Sequence, residues 1–146
     1  ARAPLWAAQR DYGHGTGHGV GYFLNVHEGP QRIALQAAPV ASTAMRAGMI
    51  TSNEPGLYRP NRWGIRIENL VANVPVPEPQ ENEFGCYLCF ETLTLCPIDT
   101  RLIDTALLTP LESGWLNEYH RLVREQLSPL LEGEALAWLL ARTQPL

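Results

Sequence analysis

Three of the four histidines, His14, His18 and His27, fall within 14 residues, and two carboxylates, Glu54 and Glu68, follow in segments that read as β-strands. Imidazole nitrogens and carboxylate oxygens together make a donor set for a hard-to-borderline divalent cation. Such O/N ligation favours manganese, zinc or cobalt over soft-metal chemistry. Glu54 precedes Pro55, which biases it away from the helical region and holds it extended. Glu68 lies two residues from Arg66 and so on the same strand face. That pair is either an ordinary ion pair or one edge of a ligand cluster.

Other chemistries fit less well. His14 and His18 stand at i, i+4, the spacing of a helical zinc pair. The residues between them are Gly-Thr-Gly, which oppose a helix and offer no Glu. The glycine string does not follow G-x-G-x-x-G with a helix behind it, which argues against a dinucleotide loop. Cys86-Tyr87-Leu88-Cys89 is a C-x-x-C without a second pair and reads as structural, with metal or redox use as the other reading. His120, beside Tyr119 on a long helical pattern, reads as an ordinary surface or core histidine.

The positioning elements can be read outward from these residues. Gly13, Gly15, Gly17, Gly19 and Gly21 alternate, a density hostile to a helix interior. They suit either a tight bend or extended backbone that something approaches closely. Strands are predicted near Gly19–Val26, Met49–Glu54, Trp63–Val74 and Tyr87–Leu95, with Pro75 to Gly85 as a solvated loop. In the third strand Trp63, Ile65 and Ile67 face one way and Arg66 and Glu68 the other. A short helical piece is expected within Ala1 to Gln9. Thr109-Pro110-Leu111-Glu112 is a capping box that opens a helix over Pro110–Leu127. Its apolar face runs through Leu111, Trp115, Leu116, Tyr119, Leu122, Val123 and Leu127, and a second helix is predicted over Glu134–Arg142. Strands followed by helices give an α+β class with an antiparallel or mixed sheet.

Composition narrows the function classes. The chain has 146 residues, a size for one domain or part of a larger one, and a net charge of −4, which disfavours a nucleic-acid-binding surface. All 11 basic residues are arginine, so a Walker-type phosphate loop and lysine Schiff-base chemistry are excluded. No apolar run reaches the roughly 18 residues of a membrane span, and no signal peptide opens the chain. Three cysteines without an export signal fit reduced thiols in a cytoplasmic protein. The opening residues read as the end of a longer helix, and position 1 is not Met, so a fragment or processed product is expected.

Taken together, the segments Asp11-Tyr12-Gly13-His14-Gly15-Thr16-Gly17-His18-Gly19-Val20-Gly21, Asn25-Val26-His27-Glu28-Gly29-Pro30, Thr51-Ser52-Asn53-Glu54-Pro55-Gly56 and Gly64-Ile65-Arg66-Ile67-Glu68-Asn69 carry a resemblance. With Thr92 to Leu95 and Trp138 to Pro145, they resemble the C-terminal half of the catalytic domain of aminopeptidase P (Xaa-Pro aminopeptidase), a pita-bread metallopeptidase family. The resemblance implies half of a pita-bread fold: a curved, mostly antiparallel sheet with helices packed on one face. It also implies two divalent metal ions, usually manganese, held by two Asp, one His and two Glu. His18 matches the His ligand, Glu54 a Glu ligand and general acid/base, and Glu68 the Glu that bridges both metals. His14 and His27 match substrate-orienting histidines, and Arg66 an Arg that hydrogen-bonds the metal-binding carboxylates. The expected substrates are peptides with proline at the second position, cleaved by a metal-bridging hydroxide. The two Asp ligands belong upstream of the glycine string and have no counterpart here. Only part of the catalytic domain is therefore expected, inactive alone and prone to form homo-oligomers. A non-catalytic pita-bread binding module and a prolidase-type relative are the alternatives.

Overall fold

The computed structural model describes residues 1–38, 40–77 and 83–146, so residues 78–82 of the predicted solvated loop lie outside the described residues. The chain divides into two compact units, Ala1–Thr94 and Leu95–Leu146. The class is α+β.

The first unit opens with a short helix, α1 (Ala3–Ala7), and continues into strands β1 (Gly17–Val20), β2 (Arg32–Ile33), β3 (Ile50–Asn53), β4 (Gly56–Arg59), β5 (Trp63–Arg66), β6 (Asn69–Pro75) and β7 (Leu88–Thr92). Five of them form an antiparallel sheet in the order β2-β1-β3-β6-β7, and β4 and β5 form a separate hairpin. The hairpin turns at Pro60-Asn61, with Asn61 at φ +60° and the Arg62 N–H donating to the Arg59 carbonyl at 2.9 Å. Asn tolerates that left-handed conformation at low cost.

Two sequence expectations are corrected here. The strand expected over Gly19–Val26 stops at Val20. Gly21 N–H donates to the Asn25 carbonyl and Glu28 N–H to the Gly19 carbonyl, so the chain folds back on itself instead of continuing the ladder. The single strand expected over Trp63–Val74 is two strands in two different sheets. β5 pairs with β4, β6 pairs with β3 and β7, and Ile67 and Glu68 lie between. The apolar positions change phase at this break, from Trp63, Ile65 and Ile67 to Leu70, Ala72 and Val74, but the phase does not say which strand each piece pairs with.

The buried centre of this unit is largely polar: Thr16, Gln31, Thr51, Ser52 and Asn73 join Tyr12 and Val71. Such groups stay buried because they are hydrogen-bonded. Gln31, for example, donates to the Ile50 carbonyl at 2.9 Å.

In the second unit, α2 (Pro110–Leu127) carries the predicted capping box, with the Thr109 hydroxyl accepting from Glu112 N–H and Glu112 accepting from Thr109 N–H. α3 (Gly133–Arg142) begins one residue earlier than expected, at a glycine with φ +58°. Leu116, Tyr119 and Val123 of α2 and Leu139 of α3 make the core, with Leu95, Ile98, Ile103, Leu127 and Leu131 against it. Leu111 and Trp115, counted in the predicted apolar face, are exposed.

Candidate metal centre

Glu54 and Glu68 occupy matching places. The β3–β6 ladder ends with Asn53 opposite Asn69, and the β4–β5 ladder begins with Gly56 opposite Arg66. Glu54-Pro55 and Ile67-Glu68 fill the gap between the two ladders. Both carboxylates were expected on strands; both lie in this interruption instead. Pro55 has no N–H to give to a ladder, so pairing cannot run through. The backbone is held on either side of the gap while the side chains within it are free of the pleat.

β1 brings His18 to the same place. It runs so close to β3 that a Cβ on Gly17 would fall on the Ser52 carbonyl, so only glycine fits there. His18 N–H donates to Ser52 Oγ at 2.9 Å, and the Glu54 N–H donates to the Thr16 carbonyl at 2.7 Å. The glycine string is thus tied to the Glu54 segment at Thr16 and at His18.

The result is a cluster in which one donor atom from each of His18, Glu54 and Glu68 lies within 4.8 Å of the other two. Glu54 is the shielded member, its side chain 12% exposed against 22% for His18. His18 Nδ1 is 2.9 Å from the Gly19 carbonyl, which can only accept, so that nitrogen carries a hydrogen, and in the neutral ring Nε2 presents a lone pair. Nε2 in turn faces Glu54 Oε1 at 3.2 Å. A neutral imidazole lone pair and an ionised carboxylate oxygen are both acceptors, and a shared cation or proton satisfies both. The donor set therefore fits a divalent ion.

Around this cluster, Arg66 Nη1 donates to Glu54 Oε2 at 3.3 Å and Ser52 Oγ donates to Glu54 Oε1 at 3.1 Å. The His27 ring packs edge-on against the His18 ring, with centroids 4.2 Å apart. His14 is held by other partners, its Nε2 2.8 Å from the Tyr58 hydroxyl and its ring against Tyr12. Two contributors escaped the sequence argument. Ser52 is fully buried and touches both His18 and Glu54. Its signal was its place two residues before Glu54, on the same strand face. Tyr58, four residues after Glu54, had no signal short of the β4–β5 hairpin.

An antiparallel sheet whose interrupted ladders gather one imidazole and two carboxylates describes a candidate metal centre, and the sequence comparisons give the family. Residues 1–73 match the metallopeptidase family M24, and residues 86–146 match the C-terminal region of peptidase M24. The chain belongs to metallopeptidase family M24. It is 53% identical over 150 residues to a probable Xaa-Pro aminopeptidase P of Coprinopsis cinerea, an alignment covering all of this chain and 24% of that protein. It is 50% identical over 149 residues to aminopeptidase P2 of Arabidopsis thaliana, covering all of this chain and 20% of that protein. Among solved structures it is similar to the X-prolyl aminopeptidase of Caenorhabditis elegans, described as a cytosolic enzyme with a di-nuclear active site. The TM-score there is 0.85 at 38% identity, over 99% of this chain and 23% of that one. The chain thus spans a fifth to a quarter of the length of the relatives it matches.

Proposed function

We propose that this chain is the C-terminal portion of the catalytic domain of an Xaa-Pro aminopeptidase, which releases the N-terminal residue from peptides with proline at the second position. The observation that carries this reading is the convergence of His18, Glu54 and Glu68 on one point at the gap between two ladders. The naming of the relatives as Xaa-Pro aminopeptidases supports the substrate class. His18 Nε2, one carboxylate oxygen of Glu54 and one of Glu68 would hold part of a pair of divalent cations, manganese by preference, with the remaining ligands supplied from outside this chain. Such a pair polarises a carbonyl and activates water at neutral pH.

The chain's own residues would do the rest. Glu68 and Glu54 would each offer a carboxylate oxygen to the cations. Ser52 and Arg66 occupy separate oxygens of Glu54 and so fix its rotamer. Glu54 then takes the proton of the attacking water and returns it to the leaving proline nitrogen, where its shielding keeps that proton from bulk water. A leaving proline nitrogen needs such an acid, because an unprotonated nitrogen anion is too basic to depart from the tetrahedral carbon. His14 and His27 would orient the substrate carbonyl from the rim.

No described helix is long and apolar enough to cross a membrane, and a cytoplasmic location is proposed with the rest. Tyr22 and Leu24, 99% and 93% exposed, are apolar surface of a kind that finds a partner, and we assign it to a homo-oligomer. The test of function is hydrolysis of an Xaa-Pro peptide by the intact protein carrying this chain, with added manganese. Glu68→Ala is expected to abolish both turnover and cation uptake. Turnover unaffected by that substitution would refute the assignment.

A further inference from the structure

His14 and Tyr58 form a pair that the metal centre leaves unexplained. His14 Nδ1 lies 2.6 Å from the Gly15 carbonyl, and Nε2 lies 2.8 Å from the Tyr58 hydroxyl. A carbonyl oxygen only accepts, so Nδ1 carries the hydrogen. Nε2 of the neutral ring is then an acceptor, and the Tyr58 hydroxyl must be the donor. His18 obeys the same rule, its Nδ1 held by the carbonyl of the next residue. There the free Nε2 points at Glu54; in His14 it is occupied by a hydroxyl from another strand.

The seat of Tyr58 is built for this. Tyr58 pairs with Gly64 across the hairpin, and a Cβ on Gly64 would lie 2.7 Å from Tyr58 Cδ1. A Cβ on Gly56 would meet the Tyr58 hydroxyl. Two glycines, one on each strand, thus leave room for the ring to lie back along β4–β5 and reach His14, 44 positions earlier in the chain. The other side of His14 is anchored by Arg2, whose guanidinium donates to the carbonyls of Tyr12 at 2.8 Å and His14 at 2.6 Å and stacks 3.9 Å from the centre of the Tyr12 ring. The His14 backbone is therefore fixed by Arg2, Nδ1 by Gly15 and Nε2 by Tyr58.

We propose that Tyr58 is a positioning residue that fixes the tautomer and orientation of His14, so that the pair acts on the substrate as one unit. The part concerning substrate rests on the proposed function; the part concerning the tautomer does not. The experiment has two arms. In the first, the chain is labelled with 15N-histidine and the ring nitrogens are read by long-range proton–nitrogen NMR. His14 is expected as a single neutral tautomer with Nδ1 protonated, and its Nε2 resonance is expected to move in Tyr58→Phe. An Nε2-protonated or mixed tautomer in the unmutated chain, or an Nε2 resonance unmoved in Tyr58→Phe, would overturn the proposal.

In the second arm, kcat/KM for an Xaa-Pro peptide is measured for the intact protein. Tyr58→Phe is expected to lose about tenfold, the lower end for a residue that orients another group. Gly64→Ala, which keeps the hydroxyl but displaces the ring, is expected to lose a similar factor. The double variant His14→Ala/Tyr58→Phe is expected to be no slower than His14→Ala alone within about twofold, because coupled residues are not additive. Full additivity would overturn action through His14. An unmutated protein with no Xaa-Pro hydrolysis would refute the proposed function, and the first arm would then decide the tautomer by itself.

Discussion

Ser52→Ala separates the metal centre from the sheet that carries it. The hydroxyl is fully buried, receives the His18 N–H at 2.9 Å and donates to Glu54 Oε1 at 3.1 Å. Its removal leaves a backbone N–H unpaired at the closest approach of β1 and β3, where a Cβ on Gly17 would already collide with the Ser52 backbone. A buried donor left without a partner costs about 1–3 kcal/mol. Relaxation of the two strands cannot easily recover that loss, because the approach is set by backbone. The second effect falls on Glu54, which keeps Arg66 on Oε2 but loses the hydrogen bond that orients Oε1 towards His18 Nε2. Loss of a ligand-orienting partner typically lowers metal affinity by about 10–100-fold, or roughly 1.4–2.7 kcal/mol. Urea unfolding of the metal-free chain measures the first term, and calorimetric titration with manganese measures the second. An unfolding free energy within about 0.5 kcal/mol of the unmutated chain, together with an affinity within about twofold, would refute both roles. A stability loss with unchanged affinity would confine Ser52 to holding the strands together.

Arg66→Ala is expected to weaken manganese binding or turnover by about 10–100-fold, read by titration and by Xaa-Pro hydrolysis in the intact protein; unchanged values for both would remove its role on Glu54. The chain by itself, with three candidate ligand side chains among the described residues, is expected to hydrolyse an Xaa-Pro peptide far more slowly than a full-length relative. Rates matching within about tenfold, roughly 1.4 kcal/mol of barrier, would contradict the ligand count. His120 predicts a pH effect on the second unit. Burial, and then the nearby Arg124 charge, push its pKa below the usual histidine value, while Nε2 accepts the Ile98 N–H at 3.1 Å. The unfolded chain therefore binds the proton first as pH falls. The stability contributed by neutral His120 is complete above about pH 6.5 and is lost as pH falls from there through the folded-state pKa. Urea unfolding between pH 8 and 5 checks this, and an identical pH slope in His120→Gln would refute it.

How much of this protein was legible in one dimension depends on the range of the interactions involved. α2 could be read to the residue, because Thr109, Pro110 and Glu112 are a capping signal contained in four consecutive positions. The α+β class and the donor types of His18, Glu54 and Glu68 could also be read, since donor type and strand alternation are local properties. Tertiary structure alone decided where the strands change partners. The segment from Trp63 to Val74 reads as one strand with only a shift of apolar phase at Asn69-Leu70, yet it serves two sheets, and the gap this creates is where Glu54 and Glu68 stand. The same holds for Ser52 and Tyr58. One joins the backbone of His18 to the side chain of Glu54, 36 positions apart, and the other reaches a histidine 44 positions away. Such contacts follow from which strands pair and how closely glycine lets them approach, and neither is written in the spacing of residues along a single strand.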